Sequence, residues 1–172
     1  MPSTERLEVN YRNLDRINAW IANADAKATA VLAGIGLLVA FTFSRLSDVL
    51  APQPHRSPVT WYLNGGTFLL AVILLTLSVY RSLRVLYPRV APPMPSLLFF
   101  GTIAELSRDE FKARMKELDP AAIEEELILQ THVSARIAVE KFQNVGGAIR
   151  LLMAALPFLI AHFVLGALLA RP

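Results

Sequence analysis

Three uncharged apolar stretches dominate the pattern of hydrophobic and polar positions along this 172-residue chain. They cover residues 28–44, 57–80 and 151–170, which are 17, 24 and 20 residues long, and basic residues flank each stretch on both sides. A helix needs roughly 20 apolar residues to cross the hydrocarbon core of a bilayer, and about 17 is the short end of that range. The pattern therefore predicts an integral membrane protein with three transmembrane helices, at residues 28–44, 58–80 and 151–170.

The polar segments are also predicted to be helical. In residues 1–27 the apolar positions form one stripe of an amphipathic helix, and this helix continues into the first span without a breaker. Residues 81–150 contain a linker at 88–95, where four prolines in eight residues prevent a helix, and helical signals follow it. The predicted fold class is all-α: three transmembrane helices with a helical cytosolic bundle formed partly by extensions of the membrane helices.

Capping signals predict two helix starts after the linker. Ser107 and Glu110 have the spacing of a capping box. Asp119 followed by Pro120 is an N-cap with a proline at the first helical position. From Pro120 the helical pattern runs into the third span, with a predicted hinge at Gly146-Gly147 and a predicted kink at Pro157.

Basic residues predict the orientation of the chain. The polar segments 1–27 and 81–150 hold 14 of the 17 Lys and Arg residues, and they lie on one side of the membrane if all three stretches cross it. The positive-inside rule makes that side cytoplasmic, with the N-terminus inside. The pI of about 9.5 is therefore interpreted as topology and not as a sign of nucleic-acid binding.

Sequence motifs of enzymes are missing. The chain has no G-x-S-x-G, H-E-x-x-H or Walker motif, and its three histidines are far apart, so we expect no catalytic residues, metal or cofactor. The absence of cysteine excludes disulfides and thiolate chemistry. The run Glu124–Glu126 is interpreted as a solvated helix face. His162, within the third span, is expected to be neutral and hydrogen-bonded to a neighbouring helix, with a gating or proton role as the alternative.

Two features near the first span are candidates for packing or gating. Asp25 and Lys27 lie where the span enters the bilayer; they either mark the interface, with Lys27 snorkelling, or have a functional role. Small residues recur every four positions and form a stripe that lets helices approach closely in lipid, either with another span or with another copy: Ala22, Ala26, Ala30 and Gly34.

Three basic residues on the long last helix are candidates for binding an anion. A spacing of four places His132 and Arg136 on one face, and the fork of an arginine suits a phosphate. Lys141 lies about 140° from Arg136 around a helix, so it shares a ligand only between helices or between copies. A structural helix also carries such residues, and this alternative stays open.

Together, three motifs resemble the transmembrane effectors of Pycsar antiphage systems. They are Trp20 with Ala24-Asp25-Ala26-Lys27-Ala28, Phe99-Phe100-Gly101 with Ile103-Ala104, and His132-Val133-Ser134-Ala135-Arg136-Ile137-Ala138 with Lys141-Phe142. The resemblance implies an effector in the bacterial inner membrane that responds to cyclic UMP or cyclic CMP from a pyrimidine nucleotide cyclase. Such an effector impairs membrane integrity and causes abortive infection, and we expect it to act as a homo-oligomer.

Two other classes of protein share parts of this pattern. A small structural or accessory membrane protein without a nucleotide ligand has the same apolar pattern, and only the resemblance separates it from an effector. An intramembrane enzyme is disfavoured by the missing catalytic motifs.

Overall fold

A computed structural model describes residues 3–44, 58–87 and 96–169 of the chain. Every regular element in these ranges is an α-helix, which confirms the predicted fold class. The helices are α1 (Ser3–Ser44), α2 (Pro58–Leu86), α3 (Phe100–Glu105), α4 (Arg108–Glu117) and α5 (Pro120–Leu169). The predicted linker at 88–95 and the loop before Pro58 lie outside the described residues.

Three of the helices are long and apolar enough to cross a membrane. The qualifying segments are Glu5–Ser44, Val59–Leu86 and Pro120–Leu168, with mean hydropathies of 1.8, 1.8 and 2.3. α1 is one unbroken helix of 42 residues, and α5 is one helix of 50 residues that passes through Pro157. The protein is therefore a membrane protein whose first and third spans continue as helices well beyond the length that a bilayer requires.

The described residues fall into two compact units. The polar unit contains the described residues of Met1–Ala24 and Tyr87–Lys141, and the membrane unit contains those of Asp25–Leu86 and Phe142–Pro172. These units reflect packing and not the position of a bilayer. The span limits 28–44, 58–80 and 151–170 and the segment limits 1–27 and 81–150 therefore stay predictions.

Small and aliphatic side chains form the core of the membrane unit, where α1, α2 and α5 meet. Its buried residues are Val31, Ile35, Ala71, Leu75, Ala148, Ala155 and Leu159. Three of the seven are alanines on α2 and α5, which lets these helix backbones approach closely, as is usual for helices in lipid.

Two polar contacts fix the alignment of α2 and α5. The Ser78 hydroxyl donates to the Ala148 carbonyl at 2.8 Å, and His162 Nδ1 lies 3.3 Å from the Asn64 carbonyl. Because 14 residues separate the two contact residues on each helix, the helices are antiparallel and stay in step over about four turns.

In the polar unit, side-chain hydrogen bonds cap the starts of α4 and α5. The capping box is present: Glu110 N–H donates to Ser107 Oγ at 3.3 Å, and Ser107 N–H donates to Glu110 Oε2 at 2.9 Å. Asp119 Oδ1 accepts from Ala122 N–H at 2.7 Å and caps α5. Both predicted helix starts are thus confirmed.

The interpretation of the acidic run Glu124–Glu126 as a solvated face is wrong for two of its members. Glu124 is half-buried and pairs with Arg6 at 3.3 Å, and Glu126 is half-buried and accepts from Ser96 Oγ at 3.0 Å. Only Glu125 is exposed. The reason is that α1 and the segment before α3 both pack beside the first turns of α5, and each contributes a donor.

Candidate functional site

His132 and Arg136 lie one turn apart on α5, and both side chains are exposed in the polar unit. The opposite side of the same turns is buried through Leu127, Ser134 and Ala138. The structure therefore brings His132 and Arg136 together on a solvent-accessible face, where both can donate hydrogen bonds to an anion.

Apolar side chains flank this basic pair. Ile128, Leu129 and Val139 lie on the exposed side of α5 with 51%, 49% and 57% of their surfaces accessible. They belong to the polar unit and not to the membrane unit. The face from Ile128 to Val139, called here the α5 face, thus combines two basic side chains with apolar surface that is about half accessible among the described residues.

Lys141 is half-buried and does not lie on the α5 face. α5 is continuous between Arg136 and Lys141, so the five-residue spacing turns the lysine about 140° around the helix. The structure does not bring the three predicted ligand residues to one place within a single chain.

A contact between Lys27 and Phe142 connects the first and the third of the sequence motifs. Lys27 Nζ lies 5.3 Å from the centre of the Phe142 ring, a cation–π distance, and both residues belong to the membrane unit. Asp25 is half-buried one turn before the Thr29 hydroxyl, which donates to the Asp25 carbonyl at 3.0 Å. Lys27 on α1 thus contacts α5, although its side chain is exposed.

The small-residue stripe points away from the core. Ala22, Ala26 and Ala30 are exposed and Gly34 is half-buried, whereas the face of α1 that packs within the chain is formed by Ala24, Ala28, Val31 and Ile35. A side chain added at Gly34 meets no atom within 4 Å. Of the two partners expected for the stripe, another span of the same chain does not occupy it within the described ranges of α2 and α5.

Sequence reasoning found His162 but missed its environment. The imidazole is 2% exposed, and its Nδ1 lies 3.3 Å from the backbone carbonyl oxygen of Asn64 on α2. The rings of Phe68 and Phe163 lie 4.9 and 5.4 Å from it, centre to centre. The expected contact with a neighbouring helix is present, but its partner is a backbone carbonyl, which the residue types in the sequence could not reveal.

Sequence reasoning also missed a close approach of α2 to α5. Gly147 is buried, and a Cβ atom there would lie 2.8 Å from both Cδ and Nη1 of Arg81. This glycine therefore makes room for an arginine side chain, a role different from the predicted hinge at Gly146-Gly147, which stays a prediction. A lone glycine pair in the sequence does not reveal which side chain covers it.

No cluster of metal-binding side chains occurs in the described ranges 3–44, 58–87 and 96–169. The features that remain are an exposed basic and apolar face on α5, a cation–π contact at Lys27, and an uncovered stripe of small residues on α1.

Comparisons with known proteins give a consistent result. A family model described as the Pycsar effector protein domain matches residues 10–170 of this chain. The chain is also similar to the Pycsar effector protein GmPycTM of Gulbenkiania mobilis, with 25% identity over 165 residues and 83% of each chain covered. No solved structure matches it. The family match includes all three apolar stretches and all three sequence motifs.

Proposed function

This chain belongs to the Pycsar effector family, and from that premise we propose that a cyclic pyrimidine nucleotide activates it to impair the bacterial inner membrane. A pyrimidine nucleotide cyclase supplies cyclic UMP or cyclic CMP during phage infection, and the cell dies before phage mature. Family membership is the observation that carries the proposal. The N-terminus and residues 81–150 face the cytoplasm, where the nucleotide is made.

The ligand site in this proposal is the α5 face. The phosphodiester of a cyclic nucleotide carries one negative charge, and the Arg136 guanidinium can donate two parallel hydrogen bonds to its oxygens. His132 lies one turn away and adds a ring N–H donor. The exposed apolar side chains Ile128, Leu129 and Val139 offer a surface on which the pyrimidine ring and the ribose can pack. Charge, donors and apolar area thus occur within about three turns of one helix.

In this proposal Lys141 enters the site from a second copy. It lies about 140° from Arg136 on the same helix, so one ligand cannot contact both residues of one chain on that helix alone. A nucleotide held between Arg136 of one copy and Lys141 of another makes binding depend on assembly. In the membrane, the copies pack in this proposal through the Ala22-Ala26-Ala30-Gly34 stripe of α1, since its small residues allow close approach of two helices.

α5 is the element that connects the ligand to the membrane. It runs unbroken for 50 residues, about 75 Å at 1.5 Å per residue, from the α5 face into the third apolar stretch. A ligand shifts the equilibrium only if it binds the membrane-disrupting state more tightly than the resting state. In this proposal that state is a larger oligomer whose spans line a defect.

Liposome leakage tests the proposal directly. Purified protein is reconstituted in dye-loaded vesicles, and cyclic UMP, cyclic CMP, cyclic AMP or no nucleotide is added. We expect leakage with a cyclic pyrimidine nucleotide only. Arg136→Ala removes a charge-assisted contact and should raise the nucleotide concentration needed by about 10- to 100-fold. Lys112→Ala removes an exposed cation from α4 in the same unit and serves as the control.

Two results would contradict different parts of the proposal. Full nucleotide-dependent leakage from Arg136→Ala, His132→Ala and Lys141→Ala would place the ligand elsewhere on the protein. Failure of every cyclic pyrimidine nucleotide to bind would leave the accessory membrane protein as the better interpretation.

A further inference from the structure

Two arginines from different helices converge on the Gly146-Gly147 step of α5. The Arg81 side chain crosses from α2 and covers Gly147, with Cδ and Nη1 at 2.8 Å from the position of a Cβ atom. Arg150 folds back along α5, and its Nε donates to the Gly146 carbonyl at 3.3 Å. Gly147 and Arg150 are three residues apart, so they lie about 60° apart on the helix and about 4.5 Å along its axis. Both guanidinium groups therefore occupy one flank of α5.

This arginine pair belongs to a unit that is poor in acidic residues in the part of the chain that the structure describes. Asp25 on α1 is the one acidic residue among the described residues of the membrane unit, and no ion pair joins a described carboxylate to Arg81 or Arg150. Both arginines are exposed. Two neighbouring cations at the edge of a bilayer repel each other and are costly there, and an anion between them removes the cost.

Aromatic side chains indicate the depth of the pair in the membrane. On α2, Trp61 and Tyr80 are 57% and 58% exposed, as expected for aromatic belts at the two interfaces. They are 19 residues apart, or about 28 Å along a helix, close to the roughly 30 Å of a hydrocarbon core. Because Arg81 follows Tyr80 directly, we expect it at the level of the lipid headgroups.

The surface beside the arginine pair is apolar on the side of the membrane interior. Met153 and Ala154 follow Arg150 on the same flank of α5 and are exposed, and Leu77, one turn before Arg81 on α2, is 46% exposed. This surface faces the hydrocarbon core, which a charged soluble nucleotide does not enter. A molecule with a phosphate at one end and a hydrocarbon chain at the other matches both parts of it.

We propose that Arg81 and Arg150 form a binding site for the phosphate of an anionic phospholipid, whose acyl chain lies along Met153 and Ala154. The Gly146-Gly147 step is part of the site, because only a residue without a side chain leaves space for Arg81 across α5. With the N-terminus inside, the lipid belongs to the cytoplasmic leaflet. The inference concerns the membrane unit and does not require a nucleotide ligand.

Lipid titration in detergent tests the inference. The purified protein in a non-ionic detergent is titrated with short-chain phosphatidylglycerol or phosphatidylcholine, and bound lipids are counted by native mass spectrometry. We expect selective binding of phosphatidylglycerol, about fivefold weaker for each of Arg81→Gln and Arg150→Gln. Arg16→Gln removes the same charge from an exposed position of α1 in the polar unit and should bind as the wild type does.

A glycine pair provides a second variant set that leaves every charge in place. Gly147→Ala displaces the flexible Arg81 side chain, whereas a Cβ atom at Gly146 meets nothing within 4 Å. We expect Gly147→Ala to weaken phosphatidylglycerol binding and Gly146→Ala to leave it unchanged, with equal helix content by circular dichroism in both.

Several outcomes would overturn the inference. One is equal binding of the two lipids by the wild-type protein. A second is undiminished binding of phosphatidylglycerol by both arginine variants. A third is stabilisation of the protein by inorganic phosphate or cyclic UMP that is lost in Arg81→Gln, which would identify a site for a soluble anion.

Discussion

Ser107 and Glu110 show how single polar residues determine where a helix begins. Glu110 Oε2 accepts from Ser107 Oγ at 2.7 Å and from its N–H at 2.9 Å, and these hydrogen bonds, with a smaller contribution from Arg114, hold the pKa of Glu110 below 4.5. The folded pKa is depressed, so the ionised carboxylate stabilises the start of α4 above the unfolded pKa. That stabilisation is lost as the pH falls through the folded pKa.

Ser107→Ala should therefore raise the pKa of Glu110 toward its ordinary value, as measured by an NMR pH titration of the Glu110 side chain. The control is Arg114→Gln, which removes the smallest of the favourable causes and should move the pKa less. An equal shift in the two variants would show that general electrostatics, and not the capping box, lowers the pKa.

Residue-scale features were predictable where one local interaction decides the structure. The capping box at Ser107 and the cap at Asp119 could be predicted because their partners lie three residues away. The pairing of Arg6 with Glu124 and the covering of Gly147 by Arg81 could not, because each joins residues far apart in sequence. The motif Phe99-Phe100-Gly101 is an exception, because its contact is local and yet was not predicted: a Cβ atom at Gly101 would lie 2.5 Å from Cε1 of Phe99, so the glycine makes room for that ring.

At the scale of elements, α1 has one face that packs inside the chain and one that is largely exposed. One face packs inside the chain through Ala24, Ala28, Val31 and Ile35, and the neighbouring stripe of small residues is left uncovered. The sequence predicted the stripe as a packing face but could not distinguish it from the internal face, because alanine recurs at a spacing of four on both. Only the positions of α2 and α5 decide which alanines are buried.

Gly34→Leu should weaken self-association of the protein, because a large side chain prevents close approach of two α1 stripes. Gly36→Leu is a matched control: both glycines have no atom within 4 Å of a Cβ position, and they lie about 160° apart around α1. Chemical crosslinking in membranes and killing of the host cell are the measurements. If the two variants crosslink and kill equally, the stripe is simply an abundance of alanine.

At the scale of the whole molecule, the distribution of charge predicts the topology. Segments 1–27 and 81–150 hold 14 of the 17 basic residues. Two of the three apolar helices separate these segments from each other along the chain, and the third separates residues 81–150 from the C-terminus. The fold class was predictable because hydrophobic length alone identifies a span. The contacts between spans were not, since apolar residues facing lipid and apolar residues facing a helix look the same in a sequence.

A reporter enzyme fused after Pro172 should be active only if the reporter is one that works outside the cytoplasm, such as alkaline phosphatase. The same reporter fused before Met1 should be inactive, and a cytoplasmic reporter should give the opposite pattern at both ends. Cytoplasmic activity at Pro172 would refute three membrane crossings with the N-terminus inside.

Because α5 is unbroken, the number of residues between Arg136 and Phe142 determines the angle between these two side chains around the helix. One inserted residue turns the α5 face by about 100° relative to Phe142, the cation–π partner of Lys27, and relative to the buried residues Ala148 and Ala155. Seven inserted residues complete almost two turns and restore the faces to within about 20°. Viable length changes in this part of the helix are therefore expected close to whole numbers of turns, such as about seven, eleven or eighteen residues, whatever their sequence.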